Sequence, residues 1–181
     1  MTIPIKRVVT GVDAKGTSVV YSDEPAPPVE LALMPGVQMF QLWGTEGPII
    51  SPVTDPKPAN PTFFPGPRGT RFGVFRFPPE TAPDPDAPAP DTAALEAGAA
   101  EAEAKVPGLL GVFEPDAPGM HQTQTVDYVV VLEGDMAVEL DDGVEVALPV
   151  GSCVVQNGAR HGWRNKGTTP GTLAYVMVSA D

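Results

Sequence analysis

The sequence predicts an all-β protein, a sandwich or a barrel, and three observations predict it. From Val126 to Ser179, six short β-rich runs follow one another at close spacing, parted by glycine-rich turns. The 181 residues include 23 prolines and 19 glycines, and proline resists both helix interiors and central strands. A helical pattern is persuasive in one segment only, residues 91–108.

Taken in order, "KRVVTG" and "GTSVVYS" flank the turn-rich "VDAKG" and read as a hairpin. "VELAL", "VQMFQLWG" and "TRFGVFRF" read as three further strands. The long "PIISPVTDPKPANPTFFPGPRG" is too punctuated by proline and glycine for regular structure. "PPETAPDPDAPAPD", residues 78–91, is acidic and of low complexity. In "DTAALEAGAAEAEAKVPG" alanine and glutamate favour a helix, Asp91 or Thr92 caps it, and Pro107-Gly108 stops it. "FEPDAPGM" is a loop. The six runs that follow are "VDYVVVLEG", "MAVELDDG", "VEVALPVG", "SCVVQNG", "RHGWRN" and "LAYVMVS", with "LDDG" a hairpin turn.

A formal net charge of −12 keeps such a chain soluble. It argues against nucleic acid, which needs clustered Lys and Arg, and against anionic membrane surfaces. Lys6 and Arg7 are too few to form a patch. No stretch approaches the about 20 apolar residues of a membrane span, and "MTIPIKRVVTG" has no run of signal-peptide length. One cysteine, Cys153, forms no intrachain disulfide, so a cytoplasmic protein is expected. With no His or Lys beside it in sequence, Cys153 is expected to be a buried, inert thiol.

The chain has two histidines, and their contexts are informative. The first reads His121-Gln-Thr123, three residues, Asp127, then six residues to Gly134. The second reads Gln156-Asn157-Gly158, two residues, His161, three residues, Asn165. Both resemble, in order and in spacing, the two motifs of the cupin superfamily: H-x-H, three or four residues, Glu, six residues, Gly; then P-x-G, two residues, His, three residues, Asn. The resemblance covers about Arg68 to Ser179 and is strongest from Met120 onward. It implies a double-stranded β-helix (jelly-roll) barrel over residues 68–179. It leaves a β-rich, Pro-rich extension at 1–67 and an insertion with a short helix at about 81–118.

Cupins usually hold a metal inside the barrel, because residues two apart on a strand share a face and aim both imidazoles inward. Here Thr123 stands at the second histidine position, a poor ligand. Asp127 replaces glutamate and is shorter by about 1.5 Å, and Gln156 stands where proline is usual. The ligand set that survives is His121, Asp127 and His161. Two histidines and a carboxylate serve non-heme iron and catalytic zinc, so the resemblance implies a divalent Zn, Fe, Ni or Mn ion, with Asp127 and His161 as catalytic groups. Without a metal, His161 and Asp127 form an acid–base pair or the pocket only binds. Asp127 alternatively orients a histidine ring.

Thr123, Gln156 and Trp163 are candidate substrate-pocket residues. Thr123 either donates a hydrogen bond there or fills the strand; Trp163, two residues past His161, is an aromatic wall or core filler. Arg164 is a further polar contact, and Glu114 is expected at the surface. Strand alternation places Val129 and Val131 with Asp127, and Tyr128 opposite. The insertion rejoins the chain just before His121 and reads as a lid. Deleting Ala82–Ala104 is then expected to alter turnover or affinity more than folding.

The resemblance implies a metal-dependent enzyme that polarises a carboxylate, carbonyl or enol oxygen of a small organic substrate. Decarboxylation, isomerisation or lyase chemistry stands ahead of iron-dependent dioxygenation. The reading from another class is a metal-free cupin that binds a small molecule or acts as an accessory protein. A homodimer is expected, its early hairpin adding strands to a partner barrel.

Overall fold

The structure, a computed structural model, describes residues 3–80 and 91–180. Most of the acidic Pro-rich run, residues 81–90, lies outside the described residues. Ten strands and one helix are present among them: β1 (Lys6–Val12), β2 (Ser18–Pro25), β3 (Gln38–Thr45), β4 (Thr70–Phe77), α1 (Thr92–Lys105), β5 (Thr125–Glu133), β6 (Met136–Glu139), β7 (Glu145–Leu148), β8 (Cys153–Asn157), β9 (Gly162–Asn165) and β10 (Gly171–Ser179). A five-stranded sheet, ordered β3-β4-β10-β5-β8, and a three-stranded sheet, β7-β6-β9, supply the barrel. All pairings are antiparallel. No helix among the described residues is long and apolar enough to cross a membrane.

Alternation decides which side chains enter the barrel. On β5, Thr125, Asp127, Val129 and Val131 are buried while Tyr128, Val130 and Leu132 are exposed, as a period of two requires. Val129 and Val131 join Leu173, Tyr175 and Met177 of β10 and Met136 and Val138 of β6 in one core between the sheets.

The hairpin expected at the start is β1–β2, a separate two-stranded sheet. Ile5 and Ala26 at its ends pack on Phe40, Leu42 and Val74, the outer side of β3 and β4. The five-stranded sheet itself starts at Gln38, inside the segment read as an extension, because β3 pairs along β4 from Gln38↔Arg76 to Thr45↔Thr70. "VELAL" is not a strand. Only Val29 bridges, to Met39, and Pro35-Gly36, with Gly36 at φ +78°, turns the chain into β3. Its Leu31 is buried and its neighbour Met34 packs on the core.

Asp91 caps α1, its carboxylate accepting from the Ala93 N–H at 3.2 Å. The helix stops at Val106, before Pro107 and Gly108 at φ +83°. Ala102, Val106 and Leu109 are buried in the main core. Gly98 lets Leu33 close on the helix, since a Cβ there would sit 2.6 Å from Leu33 Cγ. The described part of the insertion therefore packs on the core through Gly98, Ala102, Val106 and Leu109. The lid expectation is corrected on this ground: an element whose side chains complete the core cannot swing away without exposing them.

Cys153 is also corrected. It is exposed, because β8 is the last strand of its sheet and Cys153 pairs with outward-facing Val130. Gly134, the motif glycine, has φ +84°, and a Cβ there would lie 2.6 Å from Gly171 Cα and 3.0 Å from the Pro170 carbonyl oxygen. Neither backbone atom can yield. Gly134→Ala is expected to lower stability by about 3 kcal/mol through left-handed strain plus overpacking, measured as a drop in the urea midpoint at unchanged slope.

Candidate functional site

Between the sheets lies a cavity of about 220 Å³, room for about seven waters. Its walls are mainly apolar and aromatic: Phe63 from the Pro-rich connection, Phe75 and Phe77 from β4, Phe113 from the end of the insertion, Trp163 from β9, and Tyr175 and Met177 from β10. Besides the Tyr175 and Trp163 side chains, the polar residues on it are His121, His161, Thr123 and Asp127. No lysine or arginine lines it among the described residues.

The two histidines are held by backbone. Each N–H donates to the other's carbonyl oxygen at 2.9 Å, which sets the rings beside each other with centroids 4.3 Å apart. His121 Nδ1 lies 3.0 Å from the Gly119 carbonyl oxygen and His161 Nδ1 lies 2.8 Å from that of Ala159. A carbonyl only accepts, so each Nδ1 carries the proton and each Nε2 bears the lone pair. Burial lowers the pKa of both rings, and His161, with His121 as a like-charged neighbour, is pulled down to about 4. Both are neutral at pH 7. Phe113 bridges His121 through backbone and meets its ring edge-on at 5.2 Å; Trp163 does the same to the His161 ring at 5.4 Å.

Asp127 sits on the same inward face as Thr123 and Thr125. Thr123 Oγ1 and Thr125 Oγ1 are 2.8 Å apart. Burial raises the Asp127 pKa, with the Thr125 hydroxyl nearby acting the other way to a lesser degree. Its Oδ1 is buried and has no hydrogen-bond partner among the described residues.

The structure thus brings His121, His161, Thr123, Asp127 and Trp163 to one cavity. Gln156 is buried and registers opposite Asp127 on β8, but it does not line the cavity. Arg164 is spent elsewhere, on Glu139 and the Pro118 carbonyl oxygen. Glu114, expected at the surface, is half-buried; its two oxygens take Nε and Nη2 of Arg160, each at 2.6 Å. That bidentate pair ties the end of the insertion, next to Phe113, to the residue before His161.

No family model matches the chain. Phomopsin biosynthesis cluster protein C' of Diaporthe leptostromiformis is 40% identical over 62 residues, 34% of this chain and 33% of that protein. The cupin-domain-containing oxidoreductase fogC of Aspergillus ruber is 35% identical over 72 residues, 36% of each. Over that stretch the chain is similar to cupin-domain proteins. It spans about a third of the length of the curated relatives it matches. The cupin domain of Schizosaccharomyces pombe Cnp3 overlays with a TM-score of 0.49 at 9% identity, over 98% of this chain and 90% of that one.

The cavity differs from the metal site that the resemblance implied. Among the described residues, no group of three His, Cys, Asp or Glu side chains stands close enough to hold a metal ion. The histidine pair alone falls short of the three protein ligands of a catalytic site. Thr123 supplies no nitrogen at the missing position, and Asp127 is one carbon shorter than the motif's glutamate. The donor set does not fit a resident metal. The motif's other residues hold backbone: Asn165 bonds the Phe77 and Thr169 carbonyl oxygens and the Gly167 N–H, closing the turn into β10.

Sequence reasoning missed the walls of the cavity. Phe75 and Phe77 share a strand face and were legible as a pair. Phe63 and Phe113 come from irregular connections, where no periodicity marks which side chain turns inward.

Proposed function

We propose that this cupin is an enzyme that binds a small, flat, uncharged organic molecule in the barrel cavity and shifts a proton on it. The observation that carries the reading is the lining itself: two neutral imidazoles and one desolvated carboxyl on an aromatic cavity without a cation. Such a cavity disfavours a carboxylate substrate, whose charge would lose its hydration and gain no partner. It suits a carbonyl or enol. His161, with His121 beside it, takes a proton from carbon at Nε2, and the Asp127 carboxyl gives one to the carbonyl oxygen, yielding the enol. Isomerisation or elimination follows from the same two transfers.

The test is hydrogen–deuterium exchange of acetophenone in D2O, followed by NMR. Wild type is expected to exchange the methyl protons faster than buffer, and His161→Gln at least about 100-fold more slowly than wild type. No exchange above buffer in the wild type would count against the reading. In the same preparations, made without a histidine tag, Zn, Fe, Ni and Mn are expected well below one equivalent. Near-stoichiometric metal that disappears in both His121→Ala and His161→Ala would replace this reading with metal catalysis.

The naming of a relative as an oxidoreductase favours a second reading, redox chemistry in the same cavity. Oxygen uptake dependent on added iron would select it.

A further inference from the structure

We propose that Tyr175 is the specificity-determining residue for ligand length in the cavity, that its ring together with Phe63 holds the ligand to a single ring, and that Gly73 is the positioning residue that lets the Tyr175 ring lie where it does. The inference rests on the reading of the cavity as the ligand site and adds how long a ligand that site takes.

The aromatic wall of the cavity changes strands at Gly73. Residues two apart on a strand share a face, so β4 presents Phe77, Phe75, Gly73 and Arg71 to the inside in turn. Phe75 and Phe77 line the cavity and stack with centroids 5.4 Å apart. At Gly73 the row has no side chain, and Tyr175, directly opposite on β10, fills the gap. Its ring centroid lies 5.2 Å from that of Phe75 and 6.5 Å from that of Phe63. Tyr175 is 6% exposed and lines the cavity.

Only a glycine at 73 allows this placement. A Cβ there would lie 2.6 Å from Tyr175 Cζ and 2.7 Å from the Phe40 carbonyl oxygen. The Phe40 oxygen belongs to β3, which is paired along β4, so the tyrosine ring is the part that can move, and the cavity is the space it borders. Glycine inside a strand weakens it and marks such a close approach. The missing side chain at 73 thus keeps the ring of Tyr175 flat against the sheet and the cavity open.

Tyr175 and Phe63 also divide the cavity from its surroundings. They alone among the described residues line both the cavity and a neighbouring recess bordered by Gln41, Trp43, Asn60 and Arg71. Arg71 closes that side of the barrel: it is 3% exposed and donates to the carbonyl oxygens of Thr62 at 3.0 Å and of Thr45 and Phe64 at 3.2 Å. Phe63 is held by its N–H, which donates to the Pro107 carbonyl oxygen. A cavity of about 150 Å³ takes benzene, so one of about 220 Å³ holds one ring with short substituents, and two linked rings exceed it. Cutting the tyrosine ring away would add its own volume and open the cavity into the recess.

Acetophenone and 4-phenylacetophenone carry the same carbonyl and differ by one ring, so calorimetric titration of both tests the proposal. Wild type is expected to bind acetophenone at least about tenfold more tightly than 4-phenylacetophenone. Tyr175→Ala should bind 4-phenylacetophenone about tenfold or more tighter than wild type does, and Tyr175→Leu is the second variant should the alanine protein fail to fold. Tyr175→Phe, which keeps the ring, should keep the preference for the single ring. Gly73→Ala should drive the tyrosine ring inward and weaken acetophenone about tenfold. Adding Tyr175→Ala to Gly73→Ala should recover that binding, or recover folding if the single variant loses it. A glycine with a merely structural role would give no recovery, and that result overturns the role of Gly73. Equal binding of both probes by wild type overturns the inference and leaves the cavity reading standing. Folded variants at 175 without the ring that bind 4-phenylacetophenone no better than wild type also overturn it. If neither probe binds wild type, the cavity reading falls and the inference with it, whereas the acetophenone exchange judges that reading independently.

Discussion

Deletion of residues 82–104 is expected to abolish cooperative folding, the opposite of what a lid would do. The segment contains nearly all of α1, and with it Ala102, one of the buried residues of the main core. It also carries the scaffold that delivers Val106 and Leu109 to that core. Just past the deleted residues, the Pro107 carbonyl oxygen accepts the Phe63 N–H at 2.8 Å, a contact that depends on α1 to hold Pro107 in place. A finer version of the experiment is Leu109→Ala. Removing a fully buried leucine side chain costs about 2–5 kcal/mol, a large part of the about 5–15 kcal/mol that holds a domain folded. Urea unfolding followed by circular dichroism is expected to show a much lower midpoint for Leu109→Ala and no sigmoidal transition for the deletion. A deletion variant with the wild-type midpoint would restore the lid.

Stability is expected to fall by about 3 kcal/mol between pH 6.5 and pH 4, and His161 is the main cause. Its folded pKa, about 4, lies below the 6.5 of an unfolded imidazole. The unfolded chain therefore binds the proton first as pH drops, and folding loses free energy through that window. The span from 6.5 to about 4 corresponds to about 3 kcal/mol. His121 adds in the same direction, since its pKa is also lowered. Asp127 acts with the opposite sign. Its folded pKa is raised above 3.8, so ionising it at neutral pH costs stability that returns as pH falls through that folded value. His161→Gln should flatten the loss between pH 6.5 and 4, and Asp127→Asn should raise stability at pH 7. Urea midpoints measured at half-unit pH steps decide both. An unchanged slope in His161→Gln would mean that the buried histidine is not the group that titrates.

Much of the barrel was legible because its signals are local. The runs from "VDYVVVLEG" to "LAYVMVS" alternate, end in glycine turns, and became β5 to β10. Asp91 and Pro107-Gly108 bounded α1. "VELAL" misled because its apolar residues reach the core from a turn, where burial imposes no period. Cys153 misled because inward and outward positions of β8 are set by its pairing with β5, and its own neighbours do not reveal that register.

The sequence by itself determined the β-barrel class and the residues worth examining, since two histidines at matching spacings on β-patterned segments need no distant information. Only the tertiary structure decided what those residues form. Whether His121, Asp127 and His161 converge depends on ångström-scale placement across separate strands; they line one cavity without forming a three-ligand cluster among the described residues. The histidines pair through their backbones, and Thr123 pairs with Thr125. Cavity walls drawn from Phe63 and Phe113 likewise exist only once distant loops are folded onto the sheet, because burial is a property of the packed chain and not of any residue's neighbours in sequence.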